Sequence, residues 1–249
     1  MGEAILSIEH WLHTPLGNYL KEWEQAQCDA IVADMFGFHA LQLGLPQLHA
    51  LHSNRMPHRW VAMADSLKNF ESMPDGQAAY TVDLVADYTA LPFFENSLDL
   101  LVLPHTLELS KDPHATLREA QRVLVPEGKL LIFSFNPMSL WAFKRWRQAD
   151  FIPEVGEIIG SKRLKDWLKL LNFEIEISQF GCHRPAIQNE KWLNRFSWMD
   201  TMGKSSWSFF GAVHLLVAAK KVHGVRMMSP SWQSSRVKGV APVSVARKQ

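Results

Sequence analysis

The chain has 249 residues and is 47% hydrophobic, which is enough to bury the core of one large α/β domain. The 26 Lys and Arg residues nearly balance the 25 Asp and Glu residues, so no overall charge favours nucleic acid or an anionic membrane. The sequence shows neither a secretion signal nor an uncharged apolar run of the ~20 residues that span a bilayer. These features predict a cytoplasmic protein without a membrane partner.

The first apolar patterns predict one helix followed by two strands. From Pro15 to Ala30, apolar residues recur at helical spacing, which is typical of an amphipathic helix over a sheet edge or cleft. "ALQLG" (40–44) is a short apolar run that Gly44 and Pro46 stop, as in a buried strand that ends in a turn. "RWVAMAD" (59–65) is the second predicted strand, and it ends at an acid.

Three further apolar runs complete the central part of a predicted sheet. They are "YTVDLVAD" (80–87), "LDLLVL" (98–103) and "KLLIFSF" (129–135). The last two are almost continuously apolar, as in strands buried on both faces of a parallel sheet. Between them, residues 112–124 predict a helix with Asp112 as its N-cap, and this strand–helix–strand unit implies parallel pairing.

The C-terminal third predicts an antiparallel pair at the sheet edge. A helix over 161–173, with Ser161 as its expected cap, runs into the alternating strand "FEIEIS" (173–178). "AVHLLVAAKK" (212–221) is the last strand, and no clear helix separates it from the previous one. The predicted fold is therefore α/β and Rossmann-like: a doubly wound, mostly parallel sheet with an antiparallel edge strand.

The domain organisation is predicted to be one domain and a tail. Residues 1–223 form the domain, with a helical cover over about 1–35, and residues 224–249 form a basic tail without acids that we expect to be disordered. The tail is interpreted as solubilising, with weak attraction to nucleic acid or a membrane surface as the alternative. Cys28 and Cys182 lie far apart and outside any CxxC pattern, which indicates packing residues in a reducing compartment.

One stretch, residues 85–137, carries three short motifs in a specific order. An Asp is followed closely by Leu-Pro-Phe, a Ser-x-Asp opens the next strand, and an Arg-Val-Leu-x-Pro-x-Gly closes the next helix. In this order and spacing the stretch resembles the class I S-adenosylmethionine-dependent methyltransferases, in particular the type 11-like group. The matching residues are Asp87, Leu91, Pro92, Phe93, Ser97, Asp99, Arg122, Val123, Leu124, Pro126 and Gly128.

The whole chain also resembles a proteobacterial sub-group of these methyltransferases with a degenerate glycine motif. The shared features are "FG-x-H-x-L" (36–41), segments like "HTLEL" and "FNP-x-S", and the basic tail. The resemblance implies the class I methyltransferase fold, S-adenosylmethionine as cofactor and methyl transfer as the reaction. It does not supply a substrate.

The cofactor is expected at the carboxyl ends of the strands, where a doubly wound sheet binds its ligands. Asp65 lies 21 residues after Gly44, the offset at which an acid meets ribose hydroxyls; capping the next helix is an equal alternative. For Asp87 the resemblance implies contact with the adenine amino group, a reasonable partner for a buried carboxylate, while Tyr88 packs on the base. His105 falls at the methionine end of the cofactor, as a weak catalytic candidate or a structural hydrogen-bonding residue.

The glycine-rich loop after the first strand departs from the family pattern. The family has an acid and then Gly-x-Gly-x-Gly, whereas this chain has Gln42, Gly44, Pro46 and Leu48. Gln42 could hydrogen-bond an amino group of the cofactor through its carbonyl oxygen, and Pro46 removes a backbone donor. S-adenosylmethionine has no phosphate, so losing a phosphate-binding loop matters less.

No metal is expected. His49 and His52 are spaced to share a helical face, but no HExxH or Cys/His ligand series accompanies them. Catalytic residues other than the weak candidate His105 are not assigned.

Two functions remain open at this point. The first is an active methyltransferase that aligns a small-molecule acceptor for in-line transfer and excludes water. The second is an inactive methyltransferase fold that serves as a binding or scaffold module. "NPMSLWAFKRWR" (136–147) suits a substrate lid, a partner surface or a covering helix equally. The acceptor and the oligomeric state are not indicated.

Overall fold

A computed structural model describes residue 8 and residues 10–64, 82–142 and 156–222. In this part of the chain seven strands form one sheet of order β3-β2-β1-β4-β5-β7-β6. Strands β1 to β5 pair in parallel, whereas β7 pairs antiparallel with both β5 and β6. The strands are β1 His39–Leu43, β2 His58–Met63, β3 Leu84–Val85, β4 Leu98–Pro104, β5 Leu124–Phe135, β6 Phe173–Gly181 and β7 Val213–Lys220.

The predicted doubly wound, mostly parallel α/β sheet is confirmed, and so is the antiparallel pairing of the last two strands. The antiparallel strand β7 lies one position inside the edge, and β6 forms the edge itself. Because β7 is antiparallel to both β5 and β6, strand β6 runs in the same direction as β5. It therefore ends at the same sheet edge as the parallel strands. This carboxyl edge is therefore shared by the loops that follow β1, β2, β3, β4, β5 and β6.

The three predicted helices are present, with corrections at one of them, but the expectation that no clear helix separates the last two strands is wrong, because two short helices lie between β6 and β7. They are α1 Pro15–Val32, α2 Thr106–Leu109, α3 Pro113–Val123, α4 Ser161–Leu170, α5 Glu190–Arg195 and α6 Trp198–Ser206, followed by a 3-10 turn at Ser208–Phe210. Asp112 caps α3 as predicted, accepting the Ala115 N–H at 2.9 Å. The predicted Ser161 cap is wrong, because Ser161 is already helical and Gly160, with an extended backbone, holds the cap position. Helix α4 also ends earlier than predicted, before Asn172 at φ +61°.

Two apolar layers cover the two faces of the sheet. Helix α1 and the segment after β1 cover one face, where the buried residues include Leu20, Cys28 and Leu48. Helices α3 and α4 cover the other face through Leu117 and Leu164, among others. Both cysteines are buried free thiols, in agreement with the packing role expected for them. No helix in the described part of the chain combines the length and apolar character that crossing a membrane requires.

Two of the shared motifs have a structural role. The Arg122 guanidinium donates to the carbonyls of Leu91 and Phe93 and to the Glu119 carboxylate, which in turn accepts the Leu91 N–H. These bonds fasten the Leu-Pro-Phe segment to α3. At the opposite, amino edge of the sheet, Asp99 of β4 accepts the backbone N–H groups of Phe38 and His39 at 2.8 and 2.9 Å. Asp99 thereby aligns β1 with β4.

The Asp99 interaction predicts a specific stability difference. Asp99→Ala removes both acceptor bonds and is expected to lower the free energy of unfolding by about 2 kcal/mol, the magnitude typical of hydrogen bonds to a charged group. Asp99→Asn keeps one side-chain oxygen as an acceptor and is expected to lose less than half as much. Urea unfolding of both variants and the wild type measures the difference. Equal losses in the two variants would contradict the alignment role.

Candidate functional site

The carboxyl ends of four strands meet around the phenol of Tyr88. The Ala64 N–H, directly after β2, donates to the Tyr88 hydroxyl at 3.2 Å. Gly44, directly after β1, has φ +83°, and a Cβ built on it would lie 3.1 Å from the Tyr88 hydroxyl and 3.7 Å from Thr106 Oγ1. Only glycine fits this turn without strain. The structure thus brings Gly44 and Tyr88 together, and the binding of the cofactor by these two residues stays a prediction.

Tyr88 itself is almost fully enclosed. Its side chain belongs to the apolar layer beneath α3 and α4 and is 5% exposed. Most of the ring surface therefore packs against the core, and the hydroxyl end faces the turn at Gly44. Packing on an adenine base stays a prediction for Tyr88, and it would need the small part of the ring that the core leaves uncovered.

Gln42 organises the loop that replaces the glycine motif. Its Nε2 lies 3.1, 2.9 and 2.8 Å from the carbonyl oxygens of Gly44, Leu45 and Leu48, and its Oε1 accepts the Ala50 N–H at 3.1 Å. The side chain is buried. A hydrogen bond from the Gln42 oxygen to a cofactor, as the sequence suggested, would compete with the bond from Ala50.

The same loop leaves polar groups unsatisfied. Both side-chain polar atoms of Gln47 are buried without a hydrogen-bond partner in the described part of the chain. The Leu45 N–H also has none there, and it points away from Gln42 because the Gly44 carbonyl of the same peptide plane points towards it. Such orphaned groups cost free energy unless something pairs with them. The loop therefore has hydrogen-bond donors and an acceptor that are available to a polar ligand.

Asp87 differs from its expected environment. The sequence predicts a buried carboxylate at this position, but Asp87 is exposed. Its Oδ1 accepts the Thr89 N–H at 2.9 Å and the Thr89 hydroxyl at 2.8 Å, and these bonds hold the pKa of Asp87 below its usual value. Its Oδ2 makes no hydrogen bond to a described residue, so an ionised oxygen remains for a ligand at the end of β3.

His105 is the centre of a buried ionic cluster directly after β4. Its Nε2 lies 2.8 Å from Glu24 Oε1 on α1, and its Nδ1 lies 2.7 Å from Glu108 Oε2 on α2. Glu108 Oε1 also accepts the Phe135 N–H at the end of β5. All three side chains are buried. The cluster joins α1, β4 and β5 at the carboxyl edge.

The protonation of this cluster follows from its contacts. Burial lowers the pKa of His105, but the two carboxylates outweigh it and raise the pKa to about 10, so the ring is an imidazolium at neutral pH. Burial raises the pKa of Glu24, and the neighbouring cationic ring opposes that shift. With both ring nitrogens donating, His105 has no lone pair with which to take a proton. Its predicted contact with the cofactor and its catalytic role are untested.

Sequence reasoning missed both glutamates, although a signal was present. The buried stripe of α1 contains Leu16, Leu20, Glu24 and Cys28, so an acid stands in an apolar row at four-residue spacing. A charged residue in such a row is costly without a partner, and a histidine after a neighbouring strand is a suitable one. His105 and Glu108 are also three residues apart, which places both side chains on one side of a helical turn.

Several sequence-predicted features lie outside the described residues: Asp65, the part of the "NPMSLWAFKRWR" segment from residue 143 onward, the basic tail 224–249, and residues 1–7 and 9 of the helical cover. The predicted helical face for His49 and His52 is wrong, because both lie in the turns between β1 and β2. In the described part of the chain, no three His, Cys, Asp or Glu residues group in a way that could hold a metal ion.

Comparisons with known proteins agree with this architecture. A family model described as "Methyltransferase domain" matches residues 58–132. The chain is 31% identical to the uncharacterized protein YafS of Escherichia coli K12 over 178 residues, covering 70% of this chain and 68% of YafS. It is 34% identical over 84 residues to the ubiquinone/menaquinone biosynthesis C-methyltransferase UbiE of Cereibacter sphaeroides strain ATCC 17029, covering 32% of this chain and 33% of UbiE.

A solved structure shows the same fold. The S-adenosylmethionine-dependent methyltransferase of Archaeoglobus fulgidus superposes with a TM-score of 0.55 at 17% identity, covering 80% of this chain and 94% of that one. The chain belongs to one family with YafS, and the match of residues 58–132 assigns it to the class I S-adenosylmethionine-dependent methyltransferases. Within the family, its similarity to YafS extends over most of both chains. The cofactor implied by this membership is S-adenosylmethionine.

The ionic cluster predicts a pH dependence of stability. The folded-state pKa of His105, about 10, lies above its unfolded value of 6.5. Its stabilisation is therefore fully present below about pH 6.5 and is lost as the pH rises through about 10, with a limiting slope of about 1.4 kcal/mol per pH unit. Urea unfolding between these pH values should show this decline. Glu24→Gln removes one charge that raises the pKa of His105, so the decline should end at a lower pH and its total should be smaller, whereas identical curves would contradict the assignment.

The loop geometry predicts that the family's acid cannot be restored at Gln42. A carboxylate in Gln42→Glu would place an oxygen against three inward-pointing carbonyls, with no N–H to bridge them. We expect the free energy of unfolding to fall by about 3 kcal/mol or more. The exposed Gln179→Glu change on β6 is the matched control and should be nearly neutral. Equal stability of the two variants in urea would show that the carbonyls do not select the amide.

Proposed function

We propose that this protein binds S-adenosylmethionine at the carboxyl edge of β1 to β4 and transfers its methyl group to a small-molecule acceptor. The observation that carries the proposal is the arrangement of this edge. A positive-φ glycine turn after β1 lies next to the ends of β2 and β4, and an exposed, ionised Asp87 follows β3. This is the position at which doubly wound sheets bind nucleotide-like ligands.

The residues at this edge fit an adenosyl cofactor with an amino-acid end. Asp87 Oδ2 is an acceptor for the amino group of adenine. The buried amide of Gln47 and the Leu45 N–H supply unused donors and an acceptor in the loop after β1, suited to a carboxylate and an amino group. Gln42 then acts indirectly, because its amide holds the loop carbonyls inward and so sets the direction of the Leu45 N–H.

When bound, S-adenosylmethionine supplies an electrophilic methyl group whose leaving group is part of the cofactor. The protein's task is to align the acceptor and to exclude water. The Glu24–His105–Glu108 cluster holds α1 against the ends of β4 and β5, which keeps this side of the edge closed. Because His105 is already protonated, it is a positioning residue in this proposal, and the acceptor brings its own lone pair or uses another base.

The competing function, a binding or scaffold module, is favoured by one observation. The only hydrogen-bonding groups of Gln42 are already engaged with the loop, and Pro46 contributes no donor, so two positions of the family's motif do not face a ligand. We favour the enzyme because Asp87 and Gln47 keep unused polar atoms. A cytoplasmic location remains part of this proposal.

Binding of S-adenosylmethionine by the purified full chain tests the proposal. At about one hundred times its Kd the cofactor should stabilise the fold by about 2.7 kcal/mol and raise the Tm by roughly 5–11 °C. Asp87→Asn keeps the acceptor for Thr89 but replaces Oδ2 with an N–H donor. It should therefore weaken binding by about tenfold or more without lowering the Tm of the free protein.

The exposed Asp166→Asn change on α4 is the control with the same loss of charge. It should leave cofactor binding unchanged. No thermal shift of the wild type with either S-adenosylmethionine or S-adenosylhomocysteine would reject the enzyme in favour of the scaffold. A wild-type shift that Asp87→Asn leaves intact would reject the assignment of Asp87.

A further inference from the structure

The segment between β6 and β7 exposes an unusual number of large apolar side chains. Six of them lie within residues 192–210, and we call them the aromatic rim: Trp192, Trp198, Met202, Trp207, Phe209 and Phe210. The three tryptophans are each at least 50% exposed. Folded monomers expose single apolar residues routinely, but a concentration of aromatic ones marks an interaction surface.

The aromatic rim lies at the carboxyl edge of the sheet. The Asn136 amide, directly after β5, donates to the carbonyls of Phe209 and Gly211 at 2.8 and 2.9 Å. Met138 and Leu140, in the turn that follows Asn136, are 60% and 48% exposed and extend the apolar surface along this edge. The Phe209 end of the rim is therefore fastened to the edge at which β5 ends.

The charges around the rim are predominantly positive. Residues 182–212 contain four Lys and Arg residues and two Asp and Glu residues. One of the two acids, Asp200, is held inward by Arg184 at 2.8 Å and by the Tyr19 hydroxyl at 2.5 Å. On α5, Arg195 lies over the Trp192 ring at 5.8 Å, so a cation and an aromatic face share one surface.

We propose that the aromatic rim docks this protein on the surface of an anionic lipid bilayer. Tryptophan and phenylalanine interleaved with lysine and arginine are the composition of helices that lie in a membrane interface. The apolar rings enter the headgroup region while Lys191 and Arg195 meet the negative lipid charge. This departs from the expectation of no membrane partner, which rested on the balanced charge of the whole chain and on the search for a spanning segment.

Docking through the rim turns the carboxyl edge of the sheet towards the bilayer. A molecule dissolved in that bilayer would then reach the edge without crossing water. The methyl acceptor would accordingly be an amphiphile, a consequence that rests on the proposed function. The docking itself does not, because it needs neither cofactor nor catalysis.

Vesicle flotation of the full chain, without cofactor, tests the docking. The protein should float with vesicles of phosphatidylcholine containing about one third phosphatidylglycerol, and less so at about 500 mM salt than at about 50 mM. The double change Trp198→Ser and Trp207→Ser should lower the partition constant of the protein between water and vesicles by about tenfold or more, because two rings are lost from the membrane interface. Urea unfolding confirms that the variant remains folded.

Phe36→Ser and Phe94→Ser provide the matched control. Both residues are more exposed than any member of the rim, at 77% and 88%, but they precede β1 and β4 and so lie near the amino edge. This double variant should float like the wild type. The proposal would be overturned if the wild type did not float, or if both double variants lost vesicle binding to the same extent. It would also be overturned if the wild type self-associated and the double change Trp198→Ser and Trp207→Ser abolished that self-association. Cofactor binding measured on the same samples reports separately on the proposed function.

Discussion

The carboxyl edge depends on a protonated histidine held between two buried glutamates. His105 connects α1 through Glu24 and, through Glu108, the backbone at the end of β5. Removing any one member would leave a buried charge without its partner, which is why such clusters are costly to disturb although they contribute little net stability when intact. What the cluster supplies is position. The hydrogen bond between Glu24 and the His105 ring fixes one point of α1 against the end of β4, where an apolar contact would give no direction.

A second constraint explains how the chain tolerates the loss of the glycine motif. In a glycine-rich loop the backbone turns freely because side chains are missing; here Leu45, at φ +40°, and Pro46 occupy the turn. The Gln42 amide compensates by donating hydrogen bonds to the loop carbonyls. The buried side chains of Leu45 and Leu48 pack in the apolar layer beneath α1. An acid at position 42 could accept hydrogen bonds but not donate to carbonyls. The change from acid to amide and the loss of two glycines are thus parts of one adaptation.

The sequence predicted the sheet well because its strands are apolar runs that end at Gly, Pro or Asp, and tertiary contacts do not override these local patterns. The boundaries that failed, such as the Ser161 cap, are positions where neighbouring residues compete for the same role. The local pattern marks Glu24 as an acid in an apolar row, but it does not identify His105 as the partner, because the two residues are 81 positions apart and meet only once α1 packs on the sheet. The exposure of Asp87 was also missed, since the short strand β3 leaves its end open to solvent.

The strand order divides the carboxyl edge into two chemically different halves. Around the ends of β1 and β3 the described residues are closely packed, and Gly44 and Tyr88 leave little free surface beyond the oxygens and N–H groups described above. Around β5, β7 and β6 the connecting segments are longer and expose aromatic side chains. The buried cluster at His105 lies at the boundary between the halves and joins α1 and β4 to the end of β5. Directed hydrogen bonds of this kind hold a site in a fixed geometry, so the cluster separates the polar groups of the first half from the exposed aromatic side chains of the second.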